Sequence, residues 1–599
     1  MRKLVVSAVL AALVFPAAAA VTLAQKAPAV IVQESLADRR KDLNDLINEY
    51  WQAYLQANPE FASAIGDKRW NDKLSDYSVQ ANNDWLQREQ AWLLRIAAID
   101  PTGFTDQEKI SRELLLRKFT DDEEGAQFKV WEMPVNQMAG IQIDYQQLVA
   151  QLPFQTVKDY EDWIARLNAL PTAFEQVSTN MSIGMEDKRV PPKYLLEKVD
   201  AQVKTFLAEK PEDTPYALPL KHFPASIPAA EQQSIKSAML DAIQHKVFPA
   251  YVRFGRFLEA SYIPAGRTDP GLWALPDGQA YYQYLLDRTT TTQMTAEQIH
   301  QIGLEQVAKD EKEMLAIAQK LGFKDLATFR ASLKDNPRLH PTSRDQLLDA
   351  YRGYLSAMQA KLPELFGRLP KAKFEVVPVP AFLEKTSAPA YYEPGTADGS
   401  RPGRLFIDLY DPTQRNLYSV ESIAYHEGLP GHHLQISIAR ELTDVPEFRK
   451  YSHYTAYTEG WGLYAEQLGK DVGFYQDPYS DYGRLEADIW RAIRLVVDTG
   501  VHSQHWTRQQ MVDYFHAHSA IAEPDVQSEV DRYIAWPSQA TAYKIGQLTI
   551  IALREKAKKE LGPKFDIRAF HDEVLDSGAL PLDMLADRVD AWINSQKAN

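Results

Sequence analysis

Eight consecutive residues, His426-Glu427-Gly428-Leu429-Pro430-Gly431-His432-His433, hold three of the 13 histidines in a chain of 599 residues that contains no cysteine. Histidines gathered this closely suggest a metal, and without thiolates its ligands must come from His, Asp or Glu. A His-Glu pair on a helix, with a second histidine returning to the same side, supplies two neutral imidazoles for a divalent ion. It also supplies a carboxylate to take a proton from water.

The spacing differs from the usual His-Glu-x-x-His, in which the second histidine follows one turn later. Here that position is Pro430. In a straight helix His432 would lie about 9 Å along the axis from His426 and about 120° around it, too far to share an ion. Gly428, Pro430 and Gly431 permit a looped-out turn, so the helix is expected to break between Glu427 and His432 and restore convergence. His433, seven residues after His426 and back on its face, is the competing ligand. A third ligand is expected from another helix, in Thr458-Glu-Gly-Trp-Gly-Leu-Tyr-Ala-Glu466. Glu459 and Glu466 share a helix face; one can bind the ion while the other orients a histidine. Glu459 is preferred because the glycines beside it allow close approach. The rival is a pair of solvated glutamates, the usual state of that residue.

These residues need elements to position them. Ser419 reads as an N-cap with Glu421 in the first turn, which starts the first histidine helix. Elsewhere the apolar residues follow a helical period. Leu36, Leu43, Ile47, Tyr50 and Tyr54 form one stripe that stops at Asn58-Pro59, and Thr295 caps a long helix carrying Ile299, Ile302, Val307, Met314, Ile317 and Leu321. Two stretches read as short strands, Lys373 to Pro380 and Arg404 to Tyr410, with residues 388–403 as loop between them. The prolines demote the first to an edge strand or a bulge; an edge strand could hold an extended peptide by main-chain hydrogen bonds. The expected fold is therefore mainly α, with a small β-sheet beside the catalytic helix and the active-site segment at about 373–546.

HEGLPGHHLQ, EGWGLYAEQL and YIAWPSQATAYKIGQL together resemble a bacterial family of uncharacterised exported proteins marked by HEGxPGHH and placed in the gluzincin-type metallopeptidase clan. The likeness extends to NPEFASAIGD near Asn58 and FHDEVLDSGALPL near His571. More remotely, His-Glu followed by Gly-His is similar to thimet oligopeptidase, angiotensin-converting enzyme and carboxypeptidase Taq. This resemblance implies a two-lobed helical fold around a deep channel with Zn2+ on its floor. It makes His426, His432 and Glu459 the ligands and Glu427 the general base, and it favours His432 over His433 by matching Gly431-His432 to the Gly-His of those peptidases. The substrate it implies is a short peptide, cleaved in the manner of an oligopeptidase or a carboxypeptidase.

Donors for a developing oxyanion are sought among Tyr543 first, then Tyr533 and His502, with Lys544 nearby. Arg491 and Arg494 could grip a substrate carboxylate, although pairing with Glu486, Asp488 or Asp498 is the expectation, and His571 reads as packing. Arg2 and Lys3, the apolar run Leu4 to Phe15 and the small residues that follow read as a signal peptide over residues 1–24. They precede a single helical region, 25–599, expected to be exported, periplasmic and free of stable membrane insertion. With 81 acidic against 66 basic residues and a net charge of −15, nucleic acid is excluded as a partner. The alternative to a zinc peptidase is a binding protein on a peptidase scaffold whose lengthened motif has lost hydrolysis. A glycosidase has only abundant carboxylates in its favour, and a di-metal oxidase would need Glu-x-x-His repeats that do not stand out.

Overall fold

The computed structural model describes residues 34–334, 336–380, 384, 388–395 and 401–598; the expected signal peptide, residues 1–24, lies outside them. The chain is mainly helical with one small sheet. Helix α1 (Leu36–Ala57) starts where the Ser35 side chain accepts from Asp38 N at 3.2 Å, ends at Asn58, and buries Leu43, Leu46, Ile47 and Tyr50. Helix α2 (Val157–Glu186) buries Tyr160, Trp163, Leu167 and Phe174 in a core of its own, built from residues between Val135 and Tyr262. Helix α3 (Ala296–Lys320) opens with a Thr295–Gln298 capping box and buries Ile299, Val307, Met314 and Ile317. In α1 and α3 the apolar stripe read from the sequence faces the protein interior.

The sheet follows α4 (Arg344–Leu365). Its strands are β1 (Phe374–Pro378), β2 (Ala390–Glu393) and β3 (Gly403–Ile407), in the order β1-β3-β2. β1 runs parallel to β3 with Phe374 opposite Gly403, and β2 runs antiparallel to β3 with Ala390 opposite Ile407. β1 is thus an edge strand. The second edge strand, β2, falls inside residues 388–403, expected to be loop. Its tyrosines explain the difference: Tyr391 stacks on Phe406 at 5.0 Å between centroids, an aromatic cross-strand pair that offsets the weak turn-like sequence around it.

Six further elements frame the histidines. They are α5 (Val420–Glu427), α6 (His432–Arg440), α7 (Thr455–Asp471), α8 (Pro478–His502), α9 (Glu523–Ala535) and α10 (Ala542–Leu561). The largest core joins α1, α4, the sheet, α5, α6, α7 and α10, while α3, α8 and α9 share a third. No helix among the described residues is long and apolar enough to cross a membrane.

Candidate metal centre

The helix breaks within the motif. α5 ends at Glu427 and α6 begins at His432, with the chain between them looped out and pinned where the Trp461 indole N–H donates to the Pro430 carbonyl at 2.9 Å. Gly431 packs its Cα against the carbonyls of Tyr425 and His426, so a side chain there would strike backbone. Ser419 does not cap α5. Its backbone is already helical, and the Asn416 side chain accepts from both Ser419 N, at 3.1 Å, and Ser419 Oγ, at 2.5 Å. Glu421 is buried rather than left at a solvated first turn, accepting from Tyr475 N at 3.1 Å and from the Ser480 hydroxyl.

This break brings three groups together. One ligand atom each from His426, His432 and Glu459 lies within 4.8 Å of the other two. Glu459 Oε2 stands 3.4 Å from His426 Nε2 and 3.6 Å from His432 Nε2, and the two imidazole rings meet edge to face. Gly462, on the next turn of α7, gives the His426 ring its place: a Cβ there would lie 2.6–3.0 Å from three ring atoms. Two imidazole nitrogens and one carboxylate oxygen at this separation match the donor set of a zinc site that keeps one position open.

Both histidines are held from behind. His426 Nδ1–H donates to Glu466 Oε1 at 2.8 Å, and Glu466, itself buried, also accepts from the Ser422 hydroxyl. That bond fixes the proton on Nδ1 and turns Nε2 toward Glu459. The Gln435 amide nitrogen lies 2.9 Å from His432 Nδ1 and donates to the Thr458 carbonyl at 2.9 Å. Electrostatically the centre favours positive charge. Burial opposes a proton on His426, yet Glu459 and Glu466 raise that imidazole to about 10. Burial would likewise raise Glu459, but the two imidazoles outweigh it and hold its carboxyl well below the usual range. Glu466→Gln keeps the shape and removes the charge behind His426; zinc affinity is expected to fall about 10- to 100-fold, read by competition with a chelating dye.

Glu427 is half-buried at the end of α5. Among the described residues its side chain enters no hydrogen bond or ion pair, and its charge acts on Tyr351 of α4 and on His426. His453, just before α7, was not singled out in the sequence. It opens to solvent yet is closely surrounded by protein, which lowers its imidazole below the ordinary value, and it faces Glu459 and His432. Its lone position, 20 residues after His433 in the sequence, offered no spacing signal.

Other expectations are corrected. His433 turns away from the cluster: its Nδ1 accepts from the Tyr392 hydroxyl at 2.9 Å, its ring stacks on Phe374, and burial lowers it to about 4. His502 spends both ring nitrogens on backbone, accepting from Leu272 N at 3.1 Å and donating to the Tyr533 carbonyl at 3.0 Å. The Tyr533 hydroxyl is buried among Trp490, Arg494 and Glu529. Neither is placed to meet a substrate oxygen. Tyr543 is half-buried, its hydroxyl 3.4 Å from Arg532 Nη2 and its ring beneath Arg494. Lys544 pairs with Asp488 at 2.6 Å. Arg494 pairs with Glu529 at 3.0 Å rather than with Glu486, Asp488 or Asp498, and Arg491 donates to the Ala487 carbonyl. His571 is buried and bonded to Tyr464 and the Leu365 carbonyl, as a packing residue would be.

Burial holds His502 at about 3, against 6.5 for an ordinary histidine. The unfolded chain therefore takes up a proton below pH 6.5 that the folded chain refuses, and stability drops as pH falls from 6.5 toward 3. His502 alone adds a slope of about 1.4 kcal/mol per pH unit over much of that window. Urea unfolding of wild type and His502→Gln at pH 7.5, 6 and 5 is expected to show the two pH slopes differing by that amount.

A family model for "Bacterial protein of unknown function (DUF885)" matches residues 59–589. Among solved structures, a chain from Colwellia psychrerythraea described as a "putative lipoprotein" is similar with a TM-score of 0.87 and 29% identity, over 93% of this chain and 99% of that one. A chain from Shewanella oneidensis, described as a "putative lipoprotein of unknown function", is similar with a TM-score of 0.72 and 17% identity, over 91% of this chain and 99% of that one. A comparison with curated proteins found no match. With the family model spanning nearly all of the helices described above, the chain belongs to the DUF885 family of bacterial proteins.

Proposed function

We propose that this protein is a zinc-dependent peptidase of the gluzincin type that cleaves short peptides, with His426, His432 and Glu459 as the ligands. The observation that carries the reading is the convergence of these three groups beside Glu427, whose carboxylate pairs with no other side chain among the described residues. When bound, the ion would supply Lewis acidity at the scissile carbonyl and favour ionisation of water.

The chain's own residues do the rest. Glu427 accepts the proton of the attacking water at a carboxylate oxygen and delivers it to the leaving amine nitrogen. Glu466 holds the proton on His426 Nδ1 and keeps Nε2 directed inward. His453, open to solvent and facing Glu459 and His432, donates to the carbonyl oxygen as it gains charge. β2 packs against α5 and is an edge strand, which supports binding of an extended peptide along its free side. Export to the periplasm is supported by the signal-like residues 1–24 and by the lipoprotein description of the similar Colwellia psychrerythraea chain.

The test is cleavage of a broad library of short peptides by the zinc-loaded protein, followed by mass spectrometry. Cleavage that a chelator abolishes and added zinc restores supports the reading; stoichiometric zinc without any cleavage overturns it and leaves a metal- or peptide-binding protein.

A further inference from the structure

A second cluster of polar groups lies where α8, α9 and α10 meet, and the chemistry above does not use it. Arg494 Nη2 donates to Glu529 Oε2 at 3.0 Å, and its Nε donates to the Tyr533 hydroxyl at 2.8 Å. Arg532 Nη1 donates to the same Glu529 at 3.1 Å. Two guanidiniums thus share one carboxylate, and each raises the cost of charge on the other. The Arg494 side chain is only 5% exposed, and its Nη1 is buried without a hydrogen-bond partner. The rings of Trp490, Tyr533 and Tyr543 lie 5.3, 5.7 and 4.6 Å from its guanidinium carbon. They offset part of the charge but carry none of the opposite sign. A buried cation in excess over its anions is held at a cost that an anion from outside would remove.

The cluster is reachable from solvent, and close packing of glycines joins the helix that carries Tyr543 to the helix that carries Glu459. Arg532 is 18% exposed, and its Nη2 is divided between Gln539 Oε1 at 2.7 Å and the Tyr543 hydroxyl at 3.4 Å. Tyr543 stands one turn, about 5 Å of helix axis, before Gly546. The Gly546 backbone rests on Gly460, the residue after Glu459: a Cβ on Gly460 would lie 2.5 Å from it. On the other side, the charge of Arg415 acts on Tyr351, which also faces Glu427, and on Asp525, one turn before Glu529.

We propose that Arg532, Tyr543 and Arg494 form a subsite for the free C-terminal carboxylate of a peptide substrate. The proposal rests on the peptidase reading and narrows it to peptides whose last residue sits close to the scissile bond. Arg532 binds the carboxylate oxygens through its guanidinium N–H groups, the Tyr543 hydroxyl donates beside it, and Arg494 supplies charge from behind. One carboxylate balances the single positive charge by which the two arginines exceed Glu529. Tyr543, expected from the sequence as an oxyanion donor, is thereby assigned to binding.

The experiment uses pairs of short peptides identical in sequence, one with a free C-terminal carboxylate and one with a C-terminal amide. Binding is measured by calorimetry on the full-length zinc-loaded Glu427→Gln protein, and cleavage is measured on wild type. The acid is expected to bind roughly 10- to 100-fold more tightly than the amide. Arg532→Gln closes that gap to a few-fold and Tyr543→Phe narrows it, with thermal unfolding confirming that both variants are folded. Equal binding of acid and amide, or binding of neither, overturns the subsite. If acid and amide are cleaved equally the peptidase reading stands and the subsite falls; if the acid is bound selectively and no peptide is cleaved, the subsite stands and the peptidase reading falls.

Discussion

On the proposed peptidase reading, Glu427→Gln is expected to lower kcat by about 100- to 10,000-fold, the range that general acid–base groups contribute, without loss of bound zinc. The amide matches the carboxylate in shape and cannot accept a proton at neutral pH. Because Glu427 closes α5 beside His426 and has no hydrogen-bond or ion-pair partner among the described residues, its replacement leaves no buried group unpaired, and the melting temperature should hold. Steady-state cleavage of one library peptide, with zinc content measured on the same sample, checks both halves. Loss of zinc together with activity would make Glu427 a structural member of the centre, and unchanged kcat would remove it from the mechanism.

Glu459→Ala produces the second large effect, on metal binding itself. Among the described residues Glu459 is the carboxylate paired with both imidazoles, 3.4 Å from one and 3.6 Å from the other. Without it the two Nε2 atoms remain, but the anionic ligand is gone and a tetrahedral ion would have two open positions. Zinc affinity is expected to fall by more than the roughly 100-fold upper bound for groups that only orient a ligand, so that the purified variant carries little metal. The comparison with Glu466→Gln is decisive: if Glu466 proves the costlier loss, the assignment of ligand and orienting residue is reversed.

Much of this centre is legible in the sequence because its signals are local. Gly428, Pro430 and Gly431 announce a broken helix, and that break is what brings His432 back to His426. Gly460 and Gly462 mark close approach, to Gly546 and to the His426 ring. What the sequence could not convey is pairing between distant segments. Arg494 finds Glu529 on α9, not a carboxylate of its own helix. His502 is consumed by the backbone of Leu272 and Tyr533, contacts that leave no periodic trace. β2 is missed because four residues in a loop-like stretch become a strand only when β3 is there to pair with them. Ser419 looks like a cap, but its hydroxyl is spent on the Asn416 side chain and reaches no N–H of α5.

His426, His432, Glu459 and Glu466 all lie between the start of α5 and the end of α7, a single short run of chain. The proposed carboxylate subsite draws on α8, α9 and α10, the stretch that follows. Each set closes over a run of similar length, so loop-closure entropy favours neither. They share no residue, and each occupies its own consecutive piece of the chain. Ion binding and the proposed substrate recognition can therefore vary independently, because a substitution that alters one set leaves every side chain of the other in place.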